Sequence, residues 1–304
     1  MKKLTISILL GCLSCSLFAQ SSIDLLTVSG RYGVQTNYKE NYPGTVRETG
    51  ILINLKAPVV INEQLIWYNE LTYTNFAVNS EASFPAEIIS TIYLDAFIVQ
   101  TGVVKRFSES TALQLLLAPR FMTDFKDVNS RNWQFGGIGL FEKKYSDKLM
   151  MRFGLLYNTE LFGPIFTPIV HLDWSISKRW SIVGMWPVFG KINYHISENT
   201  TTGISHFGLT TTYRLGDTNY KNDYIERNSI DLSLFLRQRI AGNFFIEGRF
   251  GHTLNRKYAQ YEEDQKIDFR IIIWSIGDDR QQKNINFENG LIANLRLVYN
   301  LPIE

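Results

Sequence analysis

From Leu291 to Leu301 the chain alternates without interruption. Leu291, Ala293, Leu295, Leu297, Tyr299 and Leu301 share one face of an extended strand, while Ile292, Asn294, Arg296, Val298 and Asn300 share the other. A period of two marks a strand whose two faces meet different surroundings. About 9–11 such residues, apolar on one side, are what a tilted strand needs to cross the hydrocarbon of a bilayer. With this strand close to Glu304 and an export signal at the other end, the pattern predicts an all-β fold: a transmembrane antiparallel up-and-down β-barrel.

Residues 1–19 read as a signal peptide. Lys2 and Lys3 form a positive start, Leu4 to Leu10 begin an apolar stretch, and Leu17-Phe18-Ala19 precedes a cut before Gln20. The competing reading is Leu9-Leu10-Gly11-Cys12, which resembles a lipoprotein cleavage box with Cys12 lipidated. Cys12 and Cys15 both lie inside the signal, so the barrel domain, residues 20–304, has no disulfide, thiol nucleophile or cysteine metal ligand. Losing Lys2 and Lys3 leaves 29 basic against 29 acidic residues, and a neutral chain gives no reason to expect nucleic acid as a partner. No apolar run beyond the signal is long enough for a membrane helix. An exported chain of this kind is either a soluble periplasmic domain or a spanning sheet closed on itself.

The alternation recurs along the chain. Ile230, Leu232, Leu234, Leu236 and Ile240 oppose Asp231, Ser233, Phe235, Arg237 and Arg239. Phe244, Ile246, Gly248 and Phe250 oppose Phe245, Glu247, Arg249 and Gly251. Leu149 to Asn158, Val170 to Ser175 and Leu113 to Ala118 behave alike. Connections alternate too. Short turns at Asn62-Glu63, Ser108 to Ser110, Ser146 to Lys148, Ser177 to Arg179, Glu198-Asn199 and Ala241-Gly242 lie between longer polar stretches. Those stretches are Tyr38 to Val46, Ala77 to Glu87, Asp124 to Asn132, Thr159 to Pro164, Gly216 to Glu226 and Tyr258 to Asn289. Tight periplasmic turns and long external loops give a barrel this rhythm. The count is fourteen strands if Trp180 to Ser197 is a hairpin broken near Pro187 to Gly190, and twelve otherwise. Ile267 to Ile276 is expected as a strand rising above the membrane in the last external loop. Trp174 and Trp180 beside a short turn, with Trp133, Tyr157 and Tyr213 towards long connections, fit two interfacial belts.

Several strings resemble an uncharacterised family of Gram-negative outer-membrane β-barrels, catalogued only as a domain of unknown function. They are Tyr157 to Pro164, Thr210 to Leu215, Tyr224 to Arg227, Gly277 to Arg280 and Phe287 to Leu291. The similarity runs over almost the whole mature chain, most clearly from Gln114 onward. The resemblance implies a barrel fold and a place in the outer membrane, and it carries over no activity.

The inward faces carry charges of both signs. Candidate lumen residues are Glu70, Arg120, Glu142, Arg152, Glu160, His171, Asp173, His206, Arg214, Asp231, Arg237, Arg239, Glu247, Arg249 and Arg296. Read functionally, they line a polar pore that filters by charge and size. Read structurally, they are carboxylate–guanidinium pairs that satisfy and partly plug the lumen, with Glu247 and Arg249 meeting Arg237, Arg239 or Asp231 on the neighbouring strand. His171 and Asp173 share a face at a spacing where a carboxylate can orient an imidazole, with Ser175 and Ser181 nearby. Gly136, Gly137 and Gly139 lack the helix a phosphate loop needs, and Gly277-Asp278-Asp279-Arg280 reads as a solvated turn.

No metal-ligand spacing occurs and no cofactor is implied. The leading expectation is a barrel, not an enzyme, that passively passes or binds small solutes. The alternative is a structural or interaction barrel with an occluded lumen, and the third is a membrane lipid hydrolase. Outer-membrane lipid, lipopolysaccharide and the barrel-assembly machinery are the expected partners.

Overall fold

The computed structural model describes residues 22–220 and 222–302, so the signal segment 1–19 lies outside the described residues. Fourteen strands run in order. They are β1 (Ser22–Gly33), β2 (Thr45–Lys56), β3 (Leu65–Ser80), β4 (Ile92–Ser108) and β5 (Thr111–Leu117, continued by Arg120–Thr123). Next come β6 (Gly136–Ser146), β7 (Leu149–Glu160), β8 (Gly163–Ser175), β9 (Trp180–Trp186) and β10 (Phe189–His195). The last four are β11 (Thr200–Arg214), β12 (Tyr224–Ala241), β13 (Phe244–Tyr261) and β14 (Leu291–Pro302). Each pairs antiparallel with the next, and β14 returns to β1 with Ser29 opposite Arg296 and Gly30 opposite Leu295. The sheet is a closed barrel. No helix among the described residues is long and apolar enough to cross a membrane.

The sequence alternation sorts the faces as expected. Leu117, Leu234 and Leu295 are 60% or more exposed on the outside, whereas Ile292, Val298 and Glu247 on the opposite face are 0% exposed. An exterior of bare aliphatics is stable only against hydrocarbon. At the short-turn rim, the one the sequence reading assigns to the periplasm, Trp174 and Trp180 are exposed, and Trp180 packs on Tyr194 with ring centroids 4.9 Å apart. At the other rim Trp133 is exposed and Tyr157 meets Phe166 at 5.1 Å. Tyr213 departs from the expectation: it is buried inside the barrel.

Two connections also depart from it. Thr159 to Pro164 is a tight turn at Leu161 and Phe162 rather than a long loop, made possible by Gly163 at φ 134°. Ile267 to Ile276 does not rise above the barrel. It forms a short hairpin, Phe269–Ile271 with Trp274–Ile276, whose first strand lies parallel to β8 with Arg270 opposite Ile165 and Ile271 opposite Phe166. The hairpin lies there because the wall is low. β9 and β10 have seven residues each, whereas β8 has 13 and β11 has 15. The break expected near Pro187 to Gly190 is therefore real, and it is a deep one.

The external half of the interior holds an apolar core. Val46, Val78, Leu94, Ala96 and Met122 from β2 to β5 meet Tyr213, Ile225 and Tyr258 from β11 to β13, with Tyr38, Ile89 and Phe287 added by the connections. Thr123 of β5 even pairs with Arg214 of β11 across the mouth. The upper parts of β11 to β13 thus lean inward and close the external end with an apolar core.

Candidate functional site: the charged lumen

Below that core the inner face is ionic, and its charges gather around a few carboxylates. Glu247 on β13 receives Lys191, Arg249 and Arg296, each at 2.7 Å, and Arg237 at 3.8 Å. Register explains part of this, since Glu247 stands directly between Arg237 of β12 and Arg296 of β14. Lys191 reaches over from β10 across the Phe235 ring. Arg237 also binds Asp24 at 2.8 Å, and Asn300 donates to the same carboxylate. Four cations thus share two acids at the periplasmic end.

A second cluster centres on Glu48, which is fully buried. Arg31 lies at 2.7 Å, Arg227 at 3.4 Å and Arg256 at 3.7 Å, while Asp231 takes the other edge of Arg31. Arg227 is held by the Tyr258 hydroxyl at 2.8 Å and lies over the Phe76 ring at 3.8 Å. Two further pairs lie on the wall from β5 to β7. Arg120 binds Glu160 at 2.8 Å, and the second Glu160 oxygen accepts the Thr212 N–H at 2.8 Å and its hydroxyl at 2.6 Å. Arg152 binds Glu142 at 2.6 Å, while Glu70 accepts from Asn54 at 2.6 Å and from the Tyr68 hydroxyl. Desolvating so many charges is tolerable only because nearly every carboxylate oxygen meets a donor.

The expected residues divide accordingly. Arg237, Arg249, Arg296 and Glu247 come together, as do Arg120 with Glu160 and Arg152 with Glu142. Asp231 joins Arg31 instead of Glu247's neighbours. Arg239 stays out of the cluster: it is exposed at the periplasmic rim over Phe245. Arg214 lies at the external rim, bound to Glu263 at 2.9 Å and to the Arg131 carbonyl. His206 is corrected to the outer face, because it stands opposite Leu232 beside Ile204 and stacks on Trp186 at 4.9 Å. His171 is inward and buried, but Asp173 does not orient it; both ring nitrogens lack a partner. Ser181 meets a different imidazole, His195, at 3.1 Å, and the other His195 nitrogen goes to the Thr201 hydroxyl rather than to a carboxylate.

Sequence reasoning missed Asp24, Arg31, Glu48, Lys191, Arg227 and Arg256. It also missed an apolar stripe on the opposite wall. There Leu116, Ile138, Leu140 and Ile169 are buried beside Tyr68, Leu156, Met185 and Val188. The lumen wall is therefore uneven: the large ionic clusters gather on β10 and on β12 to β2, while β5 to β9 carry the apolar stripe beside the Arg120–Glu160 and Arg152–Glu142 pairs.

Comparison with known proteins follows the architecture. The family described as "Domain of unknown function (DUF6268)" matches residues 102–295. No curated protein matches the chain significantly. Among solved structures, the chain is similar to an outer membrane channel from Pseudomonas putida F1, at 10% identity and a TM-score of 0.46 over 91% of this chain and 94% of that one. It is similar to the TodX monoaromatic hydrocarbon channel (deltaS2 mutant), at 7% identity and 0.43 over 92% and 90%. It is also similar to the NanC porin, at 11% identity and 0.37 over 90% and 98%.

Proposed function

Because the chain belongs to the family described as a domain of unknown function (DUF6268), no inherited activity limits its reading, and we propose that it is an outer-membrane barrel for passive passage or binding of small solutes. The observation that carries this reading is the interior through the membrane-spanning half. It bears paired charges of both signs around Glu247 and Glu142 rather than the continuous apolar filling of a soluble β-core. The aliphatic exterior supports an outer-membrane location, with lipid and lipopolysaccharide as its surroundings and the assembly machinery acting at insertion. The reading assigns no catalytic residue. Purified protein in planar bilayers tests it: stepwise conductance is expected, and a persistently silent membrane overturns it.

One observation favours a second reading, the occluded interaction barrel: the apolar core around Tyr213, Met122 and Phe287 seals the external mouth. On this reading the barrel stays silent and its function lies in the external connections. The same bilayer recording decides between the two.

A further inference from the structure

We propose that the wall carries a gated lateral portal above the β9–β10 hairpin, through which small amphipathic molecules exchange between the lumen and the outer leaflet. This deepens the solute reading above and rests on it. The first observation is a gap in the ladder. β8 pairs with β9 from Val170 to Ser175 and with the loop hairpin at Ile165 and Phe166, which leaves Thr167 to Ile169 without a ladder partner on that side among the described residues. Across the gap, β11 pairs with β10 up to Phe207, and Gly208 donates to the Val188 carbonyl. The next contact on that edge is Thr212, whose N–H goes to the Glu160 carboxylate and whose carbonyl accepts from Gln134. Pro168, which has no N–H to offer, sits in the unpaired stretch.

An open strand edge in hydrocarbon is unfavourable, so the gap needs a cover. The cover is the hairpin of the last loop. Ile271, Ile273, Trp274 and Ile276 are exposed on it and continue the apolar exterior, while Arg270 turns inward. Glu226 of β12 holds both ends of this cover, with Arg270 at 2.9 Å and Arg280 at 2.9 Å. The cover is also held by its two pairs with β8, by the Ile272 N–H to the Phe166 carbonyl and by Ile267 packed against Phe162 and Ile165. None of these belongs to the fourteen-strand ladder, so the cover is removable without breaking it, and Glu226 is its ionic latch.

The lining defines what passes. With the external mouth filled by the apolar core, the side is the remaining way towards the outer leaflet. Val188 and Phe189 form the sill, and Ile169 continues into the apolar stripe of Leu140, Leu156 and Met185. Two residues below Ile169 the His171 imidazole is buried with both nitrogens unpartnered. A molecule with an apolar ring or short chain and a hydrogen-bonding head satisfies both the stripe and the imidazole.

The test uses the full barrel in vesicles of phosphatidylcholine with doxyl-labelled lipid. Residues 22–302 contain no cysteine, so a fluorophore is placed at Leu209→Cys, and at Ser205→Cys four residues below within the intact ladder. Glu226→Gln is added to each, and trypsin cleavage after Arg270 or Arg280 verifies that the hairpin is free. Lipid quenching at position 209 should rise at least about threefold on release, while position 205 stays unchanged. With the hairpin free, 1-naphthylacetate should shift the emission at position 209, and His171→Ala should weaken its half-saturation about tenfold without altering the lipid quenching. Equal quenching at the two positions after release rejects the portal, even for a barrel that conducts ions. No emission shift rejects the ligand class. Strong quenching with a silent bilayer rejects the passage reading instead.

Discussion

Leu115 and Gln114 are neighbours on β5 that face opposite solvents, so arginine at each separates the two sides of the wall. Leu115 is 51% exposed on the outside, whereas Gln114 points inward between Val104 and Leu140. Leu115 stands four residues above Thr111 at the periplasmic end. At about 3.4 Å per residue and a tilt of about 40°, that is roughly 10 Å into an apolar band about 25 Å tall, close to the midplane. Leu115→Arg should therefore destabilise the barrel by about 2–4 kcal/mol. Gln114→Arg exchanges one polar group for another on the half-buried lumen side and should change stability by less than about 1 kcal/mol. Equilibrium unfolding in guanidinium chloride, with the protein folded into phosphatidylcholine vesicles, measures both. Equal losses, or a larger loss for Gln114→Arg, would refute the assignment of faces.

Other perturbations have definite expectations. Glu247→Gln leaves Lys191, Arg249 and Arg296 without their carboxylate; it should lower unfolding stability in vesicles by about 3–5 kcal/mol and shift the reversal potential towards anion selectivity, and an unchanged potential would remove Glu247 from the conducting path. Glu226→Gln should speed trypsin cleavage after Arg280, whose side chain is 1% exposed, at least about tenfold while the barrel resists; protection equal to that of the parent would mean that Glu226 is no latch. At Gly154 an added Cβ would meet the Gly139 carbonyl oxygen at 1.8 Å, whereas at Gly248 it would meet nothing within 4 Å; alanine should cost about 1–3 kcal/mol at the first and leave the second nearly unchanged, as read by the same unfolding titration.

The barrel was legible wherever a strand keeps one face in hydrocarbon along its length. β12, β13 and β14 announced their faces because each carries a run of outward aliphatics opposite polar residues. The missed members of the site have particular causes. Asp24 is inward only because a bulge between Asp24 and Leu26 shifts the register, and alternation counted from Val28 puts it outside. Glu48 follows a stretch that reads as loop, and its three arginines come from β1, β12 and β13 through pairings that no local pattern encodes. His206 and Phe207 invert the usual polarity: the imidazole is outward on Trp186, and the phenyl ring is inward opposite Asp231. Tyr213 looked like a belt residue because an inward lean of β11 to β13 is a tertiary event, set by the apolar core it closes. The tight turn at Leu161 and Phe162 read as a loop because Gly163 and Pro164 are common in both.

The most direct test of the closed, lipid-facing barrel is a nitroxide scan along β14 in vesicles, one label at a time from Leu291 to Val298, read by oxygen accessibility. Labels at 291, 293, 295 and 297 should show the high oxygen collision rates of the bilayer interior. Those at 292, 294, 296 and 298 should show low ones, in a strict period of two. Uniform accessibility along the strand, or high accessibility to a water-soluble relaxer at the odd positions, would contradict the account.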